Sequence, residues 1–301
     1  MDNISKAKDL AIEIARCSAV RDAFADASHP CNRVVLTQKN DGFRQLPEPW
    51  YGNITNCKVL FISSNPSIDE SDRDIAEIFP TESWEDSQIG SWAMNRVIDA
   101  SAESGVTFNL DGHQNFLWKC VDGKFRGQGK NQKNSQTTWS GIHNRATELL
   151  GNAANPARNY TLTEVVHCKS KMAEGVKESA KHCSDKWMNR IVDLSGDLKV
   201  VVLVGSHVRD QYARQKFNLS VEFGENNNNL SDIETLKSNS FISNAFGKPL
   251  LFVFIAHPTS MTKKTFQSKY GESATNKISS IATGKISVPV DTDAWFNYLS
   301  S

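Results

Sequence analysis

The chain has 301 residues, of which 34 are Lys or Arg and 34 are Asp or Glu, so its formal net charge is zero. That balance excludes a protein cloaked in positive charge, while leaving room for a local basic groove. Apolar residues make up 39% and charged residues 23%, the mixture of a folded globular chain and not of a disordered one.

The longest strongly apolar runs, 200–204 and 250–256, fall far short of the roughly 20 residues that span a bilayer. Residues 1–17 carry charges every few positions and lack the apolar stretch of an export signal, so a cytoplasmic location is expected. Six cysteines in such a chain read as reduced thiols or metal ligands before they read as a disulfide framework.

In chain order, residues 1–57 read as a helical N-terminal extension. Residues 58–63 form the first short run rich in β-branched and aliphatic side chains and are expected to be a buried strand. Apolar residues at three and four spacing follow over 89–102 and 140–150, which predicts helices. A second strand is expected over 160–166, a helix over 176–194, a third strand over 199–204, a helix over 207–217 and a fourth strand over 250–256. Strands alternating with helices imply parallel pairing through crossovers. The expected fold is therefore α/β, a three-layer α/β/α sandwich around a central four-stranded parallel sheet. One domain is expected over 1–301, its motif-bearing core at 58–261 and a C-terminal segment at 262–301. Residues 122–135 and 220–244, the second with its run of four asparagines, read as surface excursions that bury little apolar area.

Ligands of an open parallel sheet gather outside the carboxyl ends of the strands. Those positions are polar here: Ser63, Ser64, Asn65, Pro66 and Ser67 after the first strand, His167, Cys168, Lys169 and Ser170 after the second. Gly205, Ser206 and His207 follow the third, and His257, Pro258, Thr259 and Ser260 the fourth. Neither a dinucleotide-binding nor a Walker glycine loop is present, so no nucleotide cofactor is expected. Asn-Pro and His-Pro after a strand also read simply as turns.

Taken together, three motifs in order between residues 58 and 261 resemble the uracil-DNA glycosylase superfamily. The loop from Ser63 to Ser67 looks like its first motif, a Gly-x-Asn-Pro-Gly loop in some branches, which puts Asn65 in the water-positioning place. The segment from His257 to Met261 is similar to the second motif, His-Pro-Ser-x-Leu, with His257 stabilising the departing base, Ser260 beside it and Met261 as the wedge that fills the vacated stack. The segment 160–171, with Cys183 and the strand ending at Gly205, resembles the iron-sulfur branch. The resemblance implies a monofunctional DNA glycosylase acting on a flipped-out base, with DNA as partner and no membrane. Hydrolysis of an N-glycosidic bond passes through an oxocarbenium-like sugar, so an amide that orients water and a donor that stabilises the leaving base suffice.

The sequence departs from the pattern at Glu164, where the iron-sulfur branch carries the asparagine that reads the uracil edge. A carboxylate accepts from an exocyclic amine, the contact offered by cytosine N4. A cytosine-type, modified base is therefore the expected target, which makes a role against phage DNA with hypermodified bases conceivable; a uracil-excising repair enzyme and an inactive nucleic-acid-binding module are the alternatives. Phe79, with Trp84 and Trp139 behind it, is the candidate for stacking on the flipped base, and Ser64 lines the same loop.

Cys168 and Cys183 match two cluster cysteines of the iron-sulfur branch, and Cys17 with Cys31 would supply the other two ligands of a four-iron four-sulfur cluster, though they lie 14 positions apart and not in the branch's Cys-x-x-Cys. Free buried thiols and a zinc site are the other readings. Lys169, Lys171, Lys263 and Lys264 are expected on a basic rim that positions phosphates, with Lys177, Lys181 and Lys269 nearby and a further basic group at Lys124, Arg126, Lys130 and Lys133.

Overall fold

The computed structural model describes residues 2–38, 44–66, 80–95, 117–119, 125–127, 137–225, 229–260 and 265–301. The four expected strands form as β2 (Val59–Ser63), β5 (Tyr160–Glu164), β6 (Val200–Val204) and β8 (Leu250–Ile255), all parallel and adjacent in the order β5-β2-β6-β8. Their sequences VLFIS, VVVLV and LLFVFI are buried at every position, the near-continuous apolar pattern that a sheet covered on both faces requires.

Two antiparallel edge strands extend the sheet to six. β1 (Trp50–Gly52) pairs with β5, and β7 (Ser240–Ser243) pairs with β8. The mixed sheet corrects the expectation of four strands alone. β1 is only three residues long and follows two prolines, so no period-2 pattern announces it. Its Gly52 has φ +111, and a Cβ there would meet the Tyr160 carbonyl at 2.7 Å, so only glycine lets the edge strand close on β5.

β7 lies inside the stretch read as a solvated excursion. Phe241 stacks on Phe252 of β8 at 4.9 Å and also packs against Phe217 and Phe223. Just before it, Ser231 and Glu234 form a capping box that starts the helix Asp232–Lys237. The asparagine tract itself is described only at Asn229. Of the other excursion, 122–135, the described part is β4 (Phe125–Gly127), which pairs with β3 (Leu117–Lys119) as a two-stranded ribbon.

The helices fall into two packing groups. Asn3–Ala15 packs on Asp86–Asn95 and on Val176–Asp193, which also carries the short helix Asn32–Leu36; Thr137–Leu150 packs on Phe266–Ala282, which holds Asp232–Lys237. The N-terminal helices are thus no appendage: Leu10, Ile14, Val34 and Val35 belong to the same core as the sheet. The helix expected over 89–102 is described from Asp86 to Asn95, and its remainder lies outside the described residues. The helix expected over 207–217 forms as a continuous run with a π turn at Arg209–Ala213 in its middle. Among the described residues no helix is long and apolar enough to cross a membrane.

Candidate active site

The carboxyl ends of the four parallel strands bring the polar motifs to one edge of the sheet, and the ladder between β2 and β5 continues past both strands. Val165 N–H donates to Ser63 O, Val166 N–H to Ser64 O and Ser170 N–H to Pro66 O, at 2.9, 2.9 and 3.1 Å. The side chain of Asn65 completes this zipper. Its Nδ2 donates to Pro66 O and to the hydroxyl of Ser170, both at 2.8 Å, which uses both amide hydrogens and fixes the amide's orientation. Among the described residues Oδ1 receives only the long 3.4 Å contact from Ser64 Oγ, which leaves it capacity to accept from a water.

Across β6, His257 leaves β8 half-buried. Thr259 N–H approaches His257 Nδ1 at 3.3 Å and Thr259 Oγ1 lies 2.8 Å from the same atom, so Nδ1 is an acceptor and the ring proton belongs on Nε2. Burial, with the charge of Arg145 and then of His207 adding to it, holds the imidazole below its ordinary pKa. At neutral pH it is therefore an uncharged Nε2–H donor. Gly205, with φ +86, ends β6 beneath it, and a Cβ there would stand 3.4 Å from His257 Cβ. Gly205 N–H donates to Ile255 O at 2.8 Å, locking the two exits together.

Asn65 and His257 thus leave strands separated by β6, two inter-strand spacings or roughly 10 Å apart. Glu164 ends β5 opposite Ser63 in register and is half-buried on the far side of the Asn65 loop. Ser260 N–H donates to His257 O at 2.8 Å, tightening the turn that holds the imidazole.

Arg145 is a residue the sequence reading missed. It is 1% exposed, donates from Nη2 to Ala256 O at 2.9 Å, and burial pulls its guanidinium down to about 10. The signal was present: Ile142, Arg145, Ala146 and Leu149 follow the three-and-four spacing of one apolar stripe, and a cation on such a stripe must be held for a reason. Gly141, one turn earlier, sits so close to Pro258 that a Cβ would meet it at 2.5 Å.

The basic rim is corrected in part. Lys169 is 3% exposed and ion-paired with Glu48 at 2.5 Å, so it braces the β5 exit from inside and cannot reach a phosphate on the surface. Lys269 is likewise buried, with Nζ on Asn239 Oδ1 at 2.7 Å and over the Phe254 ring. Lys181 pairs with Asp185 on the surface. Lys171 is exposed. Phe79, Met261, Lys263 and Lys264 lie outside the described residues, as do Lys124, Lys130 and Lys133, and nothing is described of the Arg126 and Trp139 side chains. Trp84, the second stacking candidate, is a core residue set edge-on against Trp92.

Glu48 also explains His167. The His167 Nδ1–H donates to Glu48 O at 2.7 Å, Glu48 N–H donates to His167 O at 2.9 Å, and burial lowers the imidazole to about 4. The folded pKa lies below the ordinary 6.5, so stability from this site is complete above that value and is lost as pH falls toward 4. Denaturant titrations are expected to show a loss of about 2 kcal/mol between pH 7 and pH 5 that a His167→Gln variant largely lacks. Equal slopes in the two proteins would contradict a buried neutral imidazole.

Cys17, Cys31, Cys168 and Cys183 line one narrow, largely enclosed apolar cavity between the N-terminal helices, the β5 exit and the helix Val176–Asp193. Each of the buried three is held above the ordinary thiol pKa, by burial first and then by its cysteine neighbours: Cys31 to about 11, Cys183 to about 12, and Cys168 well above the ordinary value. All four are free thiols, and among the described residues no three Cys, His, Asp or Glu side chains already stand at metal-binding spacing. Cys57 lies elsewhere, fully buried, its thiol donating to Val59 O at 3.0 Å.

Comparison with protein-family models finds no match for this chain, and no curated protein matches it.

Proposed function

We propose that the protein is a monofunctional DNA glycosylase that removes a flipped-out base, of cytosine type, by hydrolysis. The observation that carries this reading is the pair of fixed, uncharged groups at one sheet edge: the Asn65 amide, locked by Ser170 and Pro66 with Oδ1 turned to accept, and the neutral His257 imidazole with its proton on Nε2. A water donating to Asn65 Oδ1 is held against the sugar. Its oxygen bonds to C1′ as the C1′–N bond breaks, the base leaves with the electron pair while His257 Nε2–H donates to the base oxygen on which charge develops, and the proton that the attacking water sheds ends on the departed base, so that the products are the sugar hydroxyl and the neutral base. Glu164 at the end of β5 accepts from an exocyclic amine and selects the base.

The four cysteines fit the cluster that the resemblance implies in number and kind of donor, four thiols around one apolar cavity. Cys17, Cys31, Cys168 and Cys183 would hold it, and it would supply a cross-link between the N-terminal helices and the loop that carries Ser170. Protein purified without air is expected to be brown and to contain iron and sulfide, and Cys168→Ala or Cys183→Ala to lose the colour. Colourless protein without iron would leave these residues as buried thiols.

The test of function is abasic-site formation on single strands and duplexes containing uracil, cytosine, 5-hydroxymethylcytosine or its glucosylated form, with Asn65→Ala as control. Alkali-labile sites confined to modified cytosines would support Glu164 as the selector. Uracil loss alone would return the enzyme to repair of deaminated DNA, and no loss on any strand would refute glycosylase activity.

A further inference from the structure

The helix Thr137–Leu150 meets the His257 loop along one stripe, a contact that no step of the proposed reaction uses. Residues four and three apart share a helix face, so Gly141, Arg145 and Glu148 form a single line. Gly141 stands against Pro258, where a Cβ would come within 2.5 Å of the proline Cβ. One turn on, Arg145 Nη2 donates to Ala256 O at 2.9 Å. Beyond it, the Glu148 carboxylate accepts from Phe266 N–H and Gln267 N–H, both at 2.9 Å, and fixes the start of the helix Phe266–Ala282. One helix face therefore holds the residue before His257, the residue after it and the far end of the segment that carries it.

Arg145 brings more to this line than a clamp requires. A neutral amide could donate to one carbonyl, whereas a guanidinium costs far more to bury. Arg145 is 1% exposed, and burial pulls it down to about 10, with the Glu148 carboxylate acting the other way, so it stays a cation at neutral pH. A cation beside an imidazole disfavours the imidazolium, and it favours negative charge gathering on a base that leaves next to that imidazole. Among the described residues the charged or titratable groups that face His257 are Arg145 from this helix and His207 from the β6 exit; Glu148 faces Arg145, and Asp210 faces His207.

We infer that Arg145 is the positioning residue for the leaving-group side of the site: it registers the His257 imidazole at the sheet edge and supplies the positive charge that a neutral donor lacks. This rests on the glycosylase reading for the reaction, and on the helix stripe for its evidence. His257 then donates without carrying charge, while the cation that balances the departing base lies in the interior, where water screens it little.

The test separates charge from packing. Full-length protein labelled with 15N-histidine is titrated by NMR, with His257 assigned by the signals missing from His257→Ala. Arg145→Gln keeps a donor without the charge, and Arg145→Lys keeps the charge. The His257 imidazole is expected to titrate higher in Arg145→Gln by at least about half a pH unit, and to stay within about a quarter of a unit of wild type in Arg145→Lys. On substrate, Arg145→Gln should lose at least about ten-fold in kcat with KM within about two-fold, and Arg145→Lys should keep most of the activity. Gly141→Ala pushes on Pro258 without altering any charge; it is expected to move the His257 ring signals and lower kcat about ten-fold, and it reads the clamp even if Arg145→Gln fails to fold. An unchanged His257 titration in folded Arg145→Gln, equal losses in the Gln and Lys variants, or wild-type signals and turnover in Gly141→Ala would overturn the inference. Wild-type protein that excises nothing from any strand would instead overturn the glycosylase reading, while the titration, which needs no DNA, still decides whether Arg145 governs the ring.

Discussion

Replacing His257 by alanine is expected to slow abasic-site formation by about 100- to 1,000-fold, the usual effect of removing one donor aimed at developing charge. The loss should fall on kcat and not on KM, because in the proposed reaction the imidazole would meet full charge only as the base departs. The fold should survive, since His257 is half-exposed and, among the described residues, its ring bonds only to the neighbouring Thr259. The pH profile follows from the same environment. Burial and the nearby Arg145 keep the imidazole neutral to below its ordinary pKa, so wild-type activity should be flat through neutrality and decline on the acid side, as a second proton displaces the Thr259 contacts at Nδ1. A profile that rises toward acid pH would show that the charged imidazolium carries the reaction. Asn65→Ala should give a loss of similar size, whereas Asn65→Asp should retain part of the activity because the Oδ1 acceptor is kept.

The second large effect is one of stability. Glu48→Ala is expected to cost about 3–5 kcal/mol in denaturant unfolding, because it strands the Lys169 ammonium in the interior. Lys169 and Glu48 are 3% and 6% exposed and meet at 2.5 Å, so neither charge has bulk water to fall back on. The double variant Glu48→Gln with Lys169→Met should recover much of that loss, since a buried pair can often be exchanged for neutral side chains of similar volume. A single-variant cost below about 1 kcal/mol would mean that Lys169 swings out to solvent, returning it to the basic rim that the sequence suggested. Excision should fall too, as the loop that braces Ser170 against Asn65 loosens.

The unfavourable backbone at Met172 and Ala173, at φ +51 and +58, fits the same picture of a braced edge. Each left-handed non-glycine residue costs about 1–2 kcal/mol, and the interlocked Glu48, His167, Lys169 and Ser170 contacts supply the rigidity against which it is held.

Three of the four central strands were legible in the amino-acid order because a strand buried on both faces must be apolar nearly throughout, and the runs VLFIS, VVVLV and LLFVFI have no other use; the fourth, YTLTE, showed through its β-branched and aromatic residues. The gathering of the polar strand exits was legible for a related reason: parallel strands end at one edge, so the exits that carry Asn65, Glu164, Gly205 and His257 had to lie along it. The edge strands were not. β1 is too short for a period, and β7 is held by Phe241 stacking on a β8 phenylalanine more than ten positions away, a contact that no local pattern carries. The capping box at Ser231 and Glu234 was a readable signal of ordered chain in that stretch, outweighed by the asparagines before it. What only the tertiary structure decided is which charges are inside. Lys169 looks like any surface lysine in the sequence, and it becomes an internal brace because Glu48, 121 positions earlier, is folded onto it. Likewise Cys17 and Cys31 reach the cavity of Cys168 and Cys183 because the N-terminal helices share the core of the sheet. Sequence spacing encodes local periodicity and strand ends; burial and pairing between distant segments depend on how the elements pack, and the chemistry of this site depends on that packing.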